Sequence, residues 1–435
     1  MSKSPRQKLK TTRRWKKVLI FVEALFIALI LFGITVWAVP PVKTETIKVA
    51  SKTQVGRWII SWLAAQAYDD SVFDAEFDSS KLQTNALKYN YSKEYTNFVM
   101  FGVDSRQGEV DASNSDSILI VSIHNTNGKV KMVSVYRDTM LGIYDKQGTM
   151  TGISKVNSAF AGGGPEAAIN TLNKNLDLDL KDYVTLNFAG VAEVIDTLGG
   201  IEVNLNDDEF QQLNKHLKST KSSTGAKSKK IKRKGRHIRL NGIQAATYCR
   251  IRKATFVDPD TGDKVSNDFG RAARQRSVIM KLVDKAKKAG VSDLQNMVNT
   301  VLNTDTPKKK RVLATSFPFD DIINMIPIVF NFDLDGSAGF PSTLDTATVD
   351  GASYVIPQGL SANVSKLHEF LYDEKDYQPT PTVNELGNQI TNKTGISELS
   401  EGYDPLKIEN LVKESEKPIS TDYDYDDKGK SEYNR

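Results

Sequence analysis

Apolar and polar positions alternate most clearly between Asn97 and Asp138. Asn97–Val103 and Ser117–His124 are apolar, β-branched runs of strand length, joined by a polar loop. Asn125-Thr126-Asn127-Gly128 is turn chemistry, with Asn-Gly supplying positive φ. Val130–Tyr136 then returns with alternation of period two. The pattern predicts three strands whose reversals bring Asp104, Asp116 and Arg137-Asp138 to one sheet edge. Further along, Tyr183–Asn187 and Ile201–Leu205 read as strands around a helix over Phe188–Leu198, closed by Gly199-Gly200. Gly162-Gly163-Gly164-Pro165 precedes EAAINTLNKNL, a helix with proline at its first position. A third helix opens near Asp268, and SYVIP at 353–357 is a last strand. Strands alternating with helices predict a layered α/β/α domain around a mixed central sheet.

Before this domain the pattern changes. Val18 to Val39 is an apolar run with one charge, Glu23, ended by Pro40-Pro41. At 1.5 Å rise per residue, about twenty-two residues cross the hydrocarbon core of a bilayer. The first seventeen residues carry eight Lys or Arg and no acid. That flank favours an uncleaved anchor with a cytoplasmic N-terminus and everything after Pro41 outside. The expected organisation is therefore a basic segment 1–17, an anchor 18–39 and a juxtamembrane accessory segment 42–95. A catalytic domain 96–373 and a disordered polar tail 374–435 follow.

Charge and composition narrow the chemistry. Net charge is +5 over 435 residues, much of it concentrated in the N-terminus and in the basic, Ser/Gly-rich stretch 218–236. That stretch reads as an extruded loop, either a solvated charge run or an anion-binding loop. The expected outside location argues against nucleic acid and for anionic wall polymer or lipid headgroups. The glycine run lacks the Lys-Ser/Thr of a phosphate-binding P-loop, which excludes that class of nucleotide hydrolase. It still offers backbone N–H groups to a phosphate, with Lys155 nearby. Four histidines show no metal spacing, and the lone Cys249 cannot form an internal bridge.

Two carboxylates, Asp104 and Asp116, beside Arg137 suit a divalent metal holding a phosphate-bearing substrate, although strand-end Asp and Arg equally suit solvated turns. Arg271 shares a helix face with Arg274 and Gln275, at spacings of three and four, and sits in a first turn whose dipole disfavours cations unless an anion is bound. Arg250 and Arg252 alternate, so in an extended segment they point the same way.

The ordered motifs GVDSR, SDSILIVSI, VSVYRDT, KVNSAFAGGG, DTLGGIEV, LNGIQAATYCRIR and DFGRAARQR, between about Asn97 and Lys288, resemble the LytR-CpsA-Psr family of cell-wall phosphotransferases. The resemblance implies a Gram-positive membrane enzyme. Such enzymes move a glycopolymer, such as wall teichoic acid or capsular polysaccharide, from a polyprenyl-pyrophosphate carrier to peptidoglycan. It implies Mg²⁺, with Mn²⁺ as the alternative, on Asp104 and Asp116. It also implies pyrophosphate binding by Arg106, Arg137, Arg250, Arg252, Arg271, Arg274 and Gln275. Arg137, Asp138 and Arg271 are the candidate catalytic residues, with Asp138 either a base or the group that orients Arg137. Partners are the lipid-linked polymer, peptidoglycan and membrane lipid, with no nucleic acid. A regulator that binds the lipid-linked polymer without metal, and a pyrophosphatase using water as acceptor, are the competing readings. The long segment between Arg252 and Asp268 and the enlarged basic insert depart from the family pattern.

Overall fold

The computed structural model describes residues 77–103, 114–224, 227–257, 262, 264–288, 312–317 and 332–397. The basic segment 1–17, the expected anchor 18–39, most of 42–95, Asp104, Arg106 and residues 398–435 lie outside the described residues. No helix among the described residues is long and apolar enough to cross a membrane.

Six strands form the central sheet: β1 (Tyr95–Val103), β2 (Ser115–His124), β3 (Lys129–Val135), β6 (Asp182–Asn187), β11 (Leu313–Thr315) and β12 (Asp333–Phe340). Their order is β11-β6-β1-β2-β3-β12. The β1, β2 and β3 neighbours are antiparallel, whereas β1 with β6 and β3 with β12 are parallel, so the sheet is mixed. Four two-stranded ribbons surround it: β4 (Met140–Tyr144) with β5 (Met150–Lys155), β7 (Ile201–Leu205) with β8 (Gly235–Leu240), β9 (Phe256–Val257) with β10 (Lys264–Val265), and β13 (Leu344–Val349) with β14 (Ala352–Pro357). The helices are α1 (Asn157–Leu176), α2 (Phe188–Thr197), α3 (Asp207–Thr224), α4 (Gly242–Tyr248), α5 (Asn267–Lys288), α6 (Leu360–Tyr372) and α7 (Pro381–Thr394).

Alternation in β2 makes the three layers. Ile118 and Ile120 face a core shared with Ile169 and Leu172 of α1, Leu367 of α6 and Leu386 of α7. Leu119 and Val121 point the other way, towards Ile279 and Met280 of α5. A separate core joins the β7–β8 ribbon to α2–α5 through Ile195, Leu213, Ile238 and Val278. Each such buried aliphatic side chain contributes about 1.5–3 kcal/mol by leaving water.

The elements differ from the sequence reading in several places. Residues 374–397 are not tail. Pro381 starts α7, and Val383, Leu386 and Ile390, at helical spacing, are buried in the main core. The basic stretch 218–236 is not one extruded loop, because α3 continues to Thr224. The C-terminal part supplies three further strands, β11 to β13, of which β12 has a Gly- and Asp-rich sequence that concealed it and β11 is only three residues long. Residues 77–94, expected in the juxtamembrane accessory segment, pack on the domain: the Phe77 ring meets Tyr183 edge-on, and Tyr91 stacks on Tyr372. The glycine run is a bend inside α1, with Gly164 at φ 66° and the helix restarting at Pro165. A Cβ at Gly163 would stand 2.6 Å from the Ala167 Cβ, so tight packing accounts for that glycine.

Candidate active site

The hairpin register sets the site. Ile118 of β2 pairs with Val135 of β3, so Asp116, two residues before the one, and Arg137, two after the other, reach the same edge. β1 ends there too, with Val103 opposite Ser115. The end of β3 is held in place from several sides. The Asn157 N–H donates to the Arg137 carbonyl at 3.2 Å, and the Val355 N–H to the Asp138 carbonyl at 3.0 Å. Tyr136 lies edge-on to Phe269 of α5 and so close to Gly339 of β12 that any Cβ there would collide with its hydroxyl.

Helix α5 closes the cleft. Arg271, 4 % exposed, donates from Nη2 to the Asp116 carbonyl at 2.9 Å and to Asp268 Oδ2 at 3.0 Å. Arg137 Nη1 pairs with Asp116 Oδ1, and its Nε lies 3.3 Å from Asp138 and 3.7 Å from Asp268. Arg252 Nε stands 3.5 Å from Asp268 Oδ1, and Lys155 Nζ 2.9 Å from Asp138 Oδ1. Among the described residues, four cations thus meet three carboxylates. The shared cleft is lined by Asp116, Ser134, Arg137, Asp268, Arg271 and Gln275, and holds about 10 Å³, room for one water.

The two central arginines shift in opposite directions. Burial works against the Arg137 charge, but Asp268, Asp116 and Asp138 together raise its pKa above the ordinary value. Burial pushes Arg271 down to about 10; Asp268 and Asp116 resist that, while Arg252 and Arg137 add to it. The difference follows first from burial, which is deeper at Arg271, and then from neighbours: Arg137 stands among three acids, Arg271 among two acids and two guanidinia. Buried Nε atoms of both arginines, and Asp268 Oδ1, have no hydrogen-bond partner among the described residues. The two Nε–H groups, unlike the Asp268 oxygen, are donors that suit an incoming oxyanion.

The residues expected at the site divide into three groups. Asp116, Arg137, Asp138, Arg252, Arg271 and Gln275 converge, with Gln275 lining the cleft and donating to the Cys249 carbonyl at 3.3 Å. Asp104 and Arg106 lie outside the described residues. Arg274 and Arg250 depart from expectation. Arg274 is fully buried in the second core. Its Nε meets Glu209 Oε1 at 2.9 Å, and its Nη atoms hold the Ile251 and Ala254 carbonyls at 3.2 and 2.7 Å. It lies away from the cleft and ties down the segment that carries Arg252. Arg250 does not point with Arg252, because it lies in the turn closing α4, not in an extended strand. Its guanidinium sits over the Phe188 ring at 4.8 Å and donates to Thr220 Oγ1 at 3.2 Å.

Asp268 is the site residue that pattern reading missed. An acid in a helix's first turn reads as a dipole partner, yet here it ties together Arg137, Arg252 and Arg271. Among the described residues no three His, Cys, Asp or Glu side chains cluster for a metal. Asp116 meets both guanidinia through Oδ1, which leaves Oδ2 as a hard oxygen donor suited to Mg²⁺.

Residues 63–326 match the LytR_cpsA_psr family. A polyisoprenyl-teichoic acid–peptidoglycan teichoic acid transferase, TagU, of Bacillus cereus is 31% identical over 208 residues, 48% of this chain and 58% of that protein. The TagU of Bacillus subtilis is 31% identical over 263 residues, 60% of this chain and 72% of that one. The crystal structure of protein gbs0355 from Streptococcus agalactiae, 24% identical, shares the fold with a TM-score of 0.52 over 68% of this chain and 94% of that one.

Proposed function

The chain belongs to the LytR_cpsA_psr family, and from that premise we propose that it transfers a glycopolymer from a polyprenyl-pyrophosphate carrier to peptidoglycan, as the names of its TagU relatives describe for teichoic acid. The observation that carries this reading is the convergence of Arg137 and Arg271 on one cleft, each with a buried Nε that makes no hydrogen bond among the described residues, where four cations meet three carboxylates. A pyrophosphate diester brings two negative charges and develops more on its leaving oxygen as the bond breaks, so charge neutralisation and positioning are the catalysis it needs.

In this mechanism a wall sugar hydroxyl attacks the sugar-linked phosphorus. The new O–P bond forms, the P–O–P bond breaks, polyprenyl phosphate leaves and the hydroxyl proton passes to a base. Arg137 and Arg271 exchange their contacts with Asp116 and Asp268 for phosphate oxygens. Asp138, held by both Lys155 and Arg137, acts as the group that orients Arg137. Asp268 keeps Arg137, Arg252 and Arg271 aimed at one point. Asp104 and Asp116 would hold Mg²⁺, which when bound supplies further neutralisation of phosphate charge. The apolar run Val18–Val39 anchors the enzyme with this domain outside the cell membrane, where lipid carrier and peptidoglycan meet.

The test is transfer of lipid-linked polymer to peptidoglycan oligomers by the purified full chain with Mg²⁺. Linked product that disappears in Arg137→Ala and Asp104→Ala is expected. Release of free polymer alone makes the protein a pyrophosphatase. Tight lipid binding without turnover makes it a regulator.

A further inference from the structure

The cleft chemistry makes no use of the basic stretch after α3. Beyond Thr224, residues 227–234 double back along that helix, and side chains of two helices fasten their backbone. Gln244 Nε2 donates to the Lys229 carbonyl at 2.9 Å. Asn214 brackets Ile231, accepting from its N–H at 2.8 Å and donating to its carbonyl at 3.1 Å. Ser228 exchanges hydrogen bonds with Asn241, which with Gln244 forms the capping box of α4. Ile231 packs into the second core. Lys227, Lys229, Lys230, Lys232, Arg233 and Arg236 all stand exposed. Among the described residues, the one ion pair within 227–236 joins Lys234 to Asp207.

Fixing a backbone costs about 1–2 kcal/mol per residue, and like charges in a row repel. A run that served solubility alone gains nothing from being fastened at three points. Its root also adjoins the cleft's cations. Thr220, one turn before the end of α3, accepts from Arg250, and Arg252 reaches Asp268. His216, one turn earlier, has its pKa lowered by burial and by the nearby Lys215, Arg250, Lys253 and Arg252. Positive charge therefore runs from Arg137 and Arg271 through Arg252, Lys253 and Arg250 to the place where the arm begins.

The chemistry of the arm selects its partner. Its single apolar residue, Ile231, faces inward, so no side chain is left to insert into a bilayer. Residues 218–236 contain no aromatic residue on which bases could stack. Compact ammonium groups in series match phosphates repeated along a flexible chain.

We infer that residues 227–236 form a binding arm for the phosphodiester-repeat portion of the glycopolymer, several units beyond the pyrophosphate held at Arg137 and Arg271. The polymer's direction rests on the phosphotransferase reading; polyanion binding by the arm does not.

The test compares the full chain in detergent with a variant carrying Lys229→Gln, Lys230→Gln, Lys232→Gln and Arg233→Gln, after thermal melting shows that both are equally folded. The probe is synthetic poly(glycerol phosphate) without lipid or pyrophosphate, titrated at several salt concentrations. The variant is expected to bind at least about tenfold more weakly and with a flatter salt dependence. Transfer from a long-polymer donor should fall, while transfer from a lipid-linked disaccharide donor stays within about twofold of wild type. Equal polymer affinity in the two proteins overturns the inference. So does a loss confined to phosphatidylglycerol vesicles, which makes the arm a membrane contact. If wild type transfers neither donor yet binds free polymer through the arm, the arm stands and the phosphotransferase reading falls.

Discussion

Arg271 and Arg274 lie one turn apart on α5 and are both buried, yet they belong to different regions with opposite chemistry. Arg271 enters the cleft at the sheet edge, near two other guanidinia, and its Nε makes no hydrogen bond among the described residues. Arg274 enters the second core, where Glu209, two carbonyls and the rings of Tyr248 and Phe256 enclose it. Burial pushes the Glu209 carboxyl up in pKa, and Arg274 holds that shift back. A buried charge with every donor engaged stabilises a fold. A buried charge with spare donors is kept for something that arrives later.

The sharpest way to break this comparison is to remove each arginine and measure turnover and stability separately. Arg137→Ala and Arg271→Ala should each lower kcat for polymer transfer about 10²- to 10³-fold, as loss of a preorganised charge stabiliser does. Arg274→Ala should instead cost about 3–5 kcal/mol of stability in denaturant titration, because the buried Glu209 loses its charge partner and keeps only the hydrogen bonds from Tyr248 and Asn206. The molecules that remain folded should keep most of their kcat. Combining Arg274→Met with Glu209→Leu should recover most of that stability, since an apolar pair needs no compensation.

His368 extends the comparison to a third buried polar group, at the far end of the sheet. It is fully buried, with Nδ1 3.1 Å from the Tyr91 hydroxyl, Nε2 3.0 Å from the Leu176 carbonyl, and its ring stacked on Tyr377. Burial pushes its pKa down to about 4 from 6.5. The unfolded chain takes up a proton near 6.5 and the folded one does not until about 4. Stability present at neutral pH is therefore lost as pH falls through that window, by about 3 kcal/mol. A melting series between pH 7 and 4 should show this loss in wild type and a flatter profile in His368→Gln. The smallest effect is expected from Arg252→Ala. Arg252 is 45% exposed and screened by solvent, so KM should rise up to about tenfold with kcat little changed.

These regions also show what a one-dimensional pattern can carry. Asp116 and Arg137 were legible because strand period and an Asn-Gly turn fix which end of a hairpin each residue reaches. Arg271 was legible because a first-turn cation is anomalous without an anion. Arg274, expected beside Arg271 in the cleft, enters the second core instead, because shared helical spacing says nothing about what lies opposite. Its partner Glu209 comes from a helix start, DDEF, that looks like ordinary surface. Asp268 hid behind its plausible role at a helix N-terminus. Helix α7 hid in a polar composition, although Val383, Leu386 and Ile390 keep the spacing of a buried stripe. Local rules resolve positions within an element, and the long-range meeting of elements decides between a binding group and a structural one.

The most direct test of the arginine cradle is a crystal structure of the full chain with farnesyl pyrophosphate. The account predicts pyrophosphate oxygens within hydrogen-bonding distance of both Arg137 and Arg271, with the contacts to Asp116 and Asp268 displaced or shared. A pyrophosphate bound elsewhere, with Arg137 and Arg271 still paired only to those carboxylates, would contradict it.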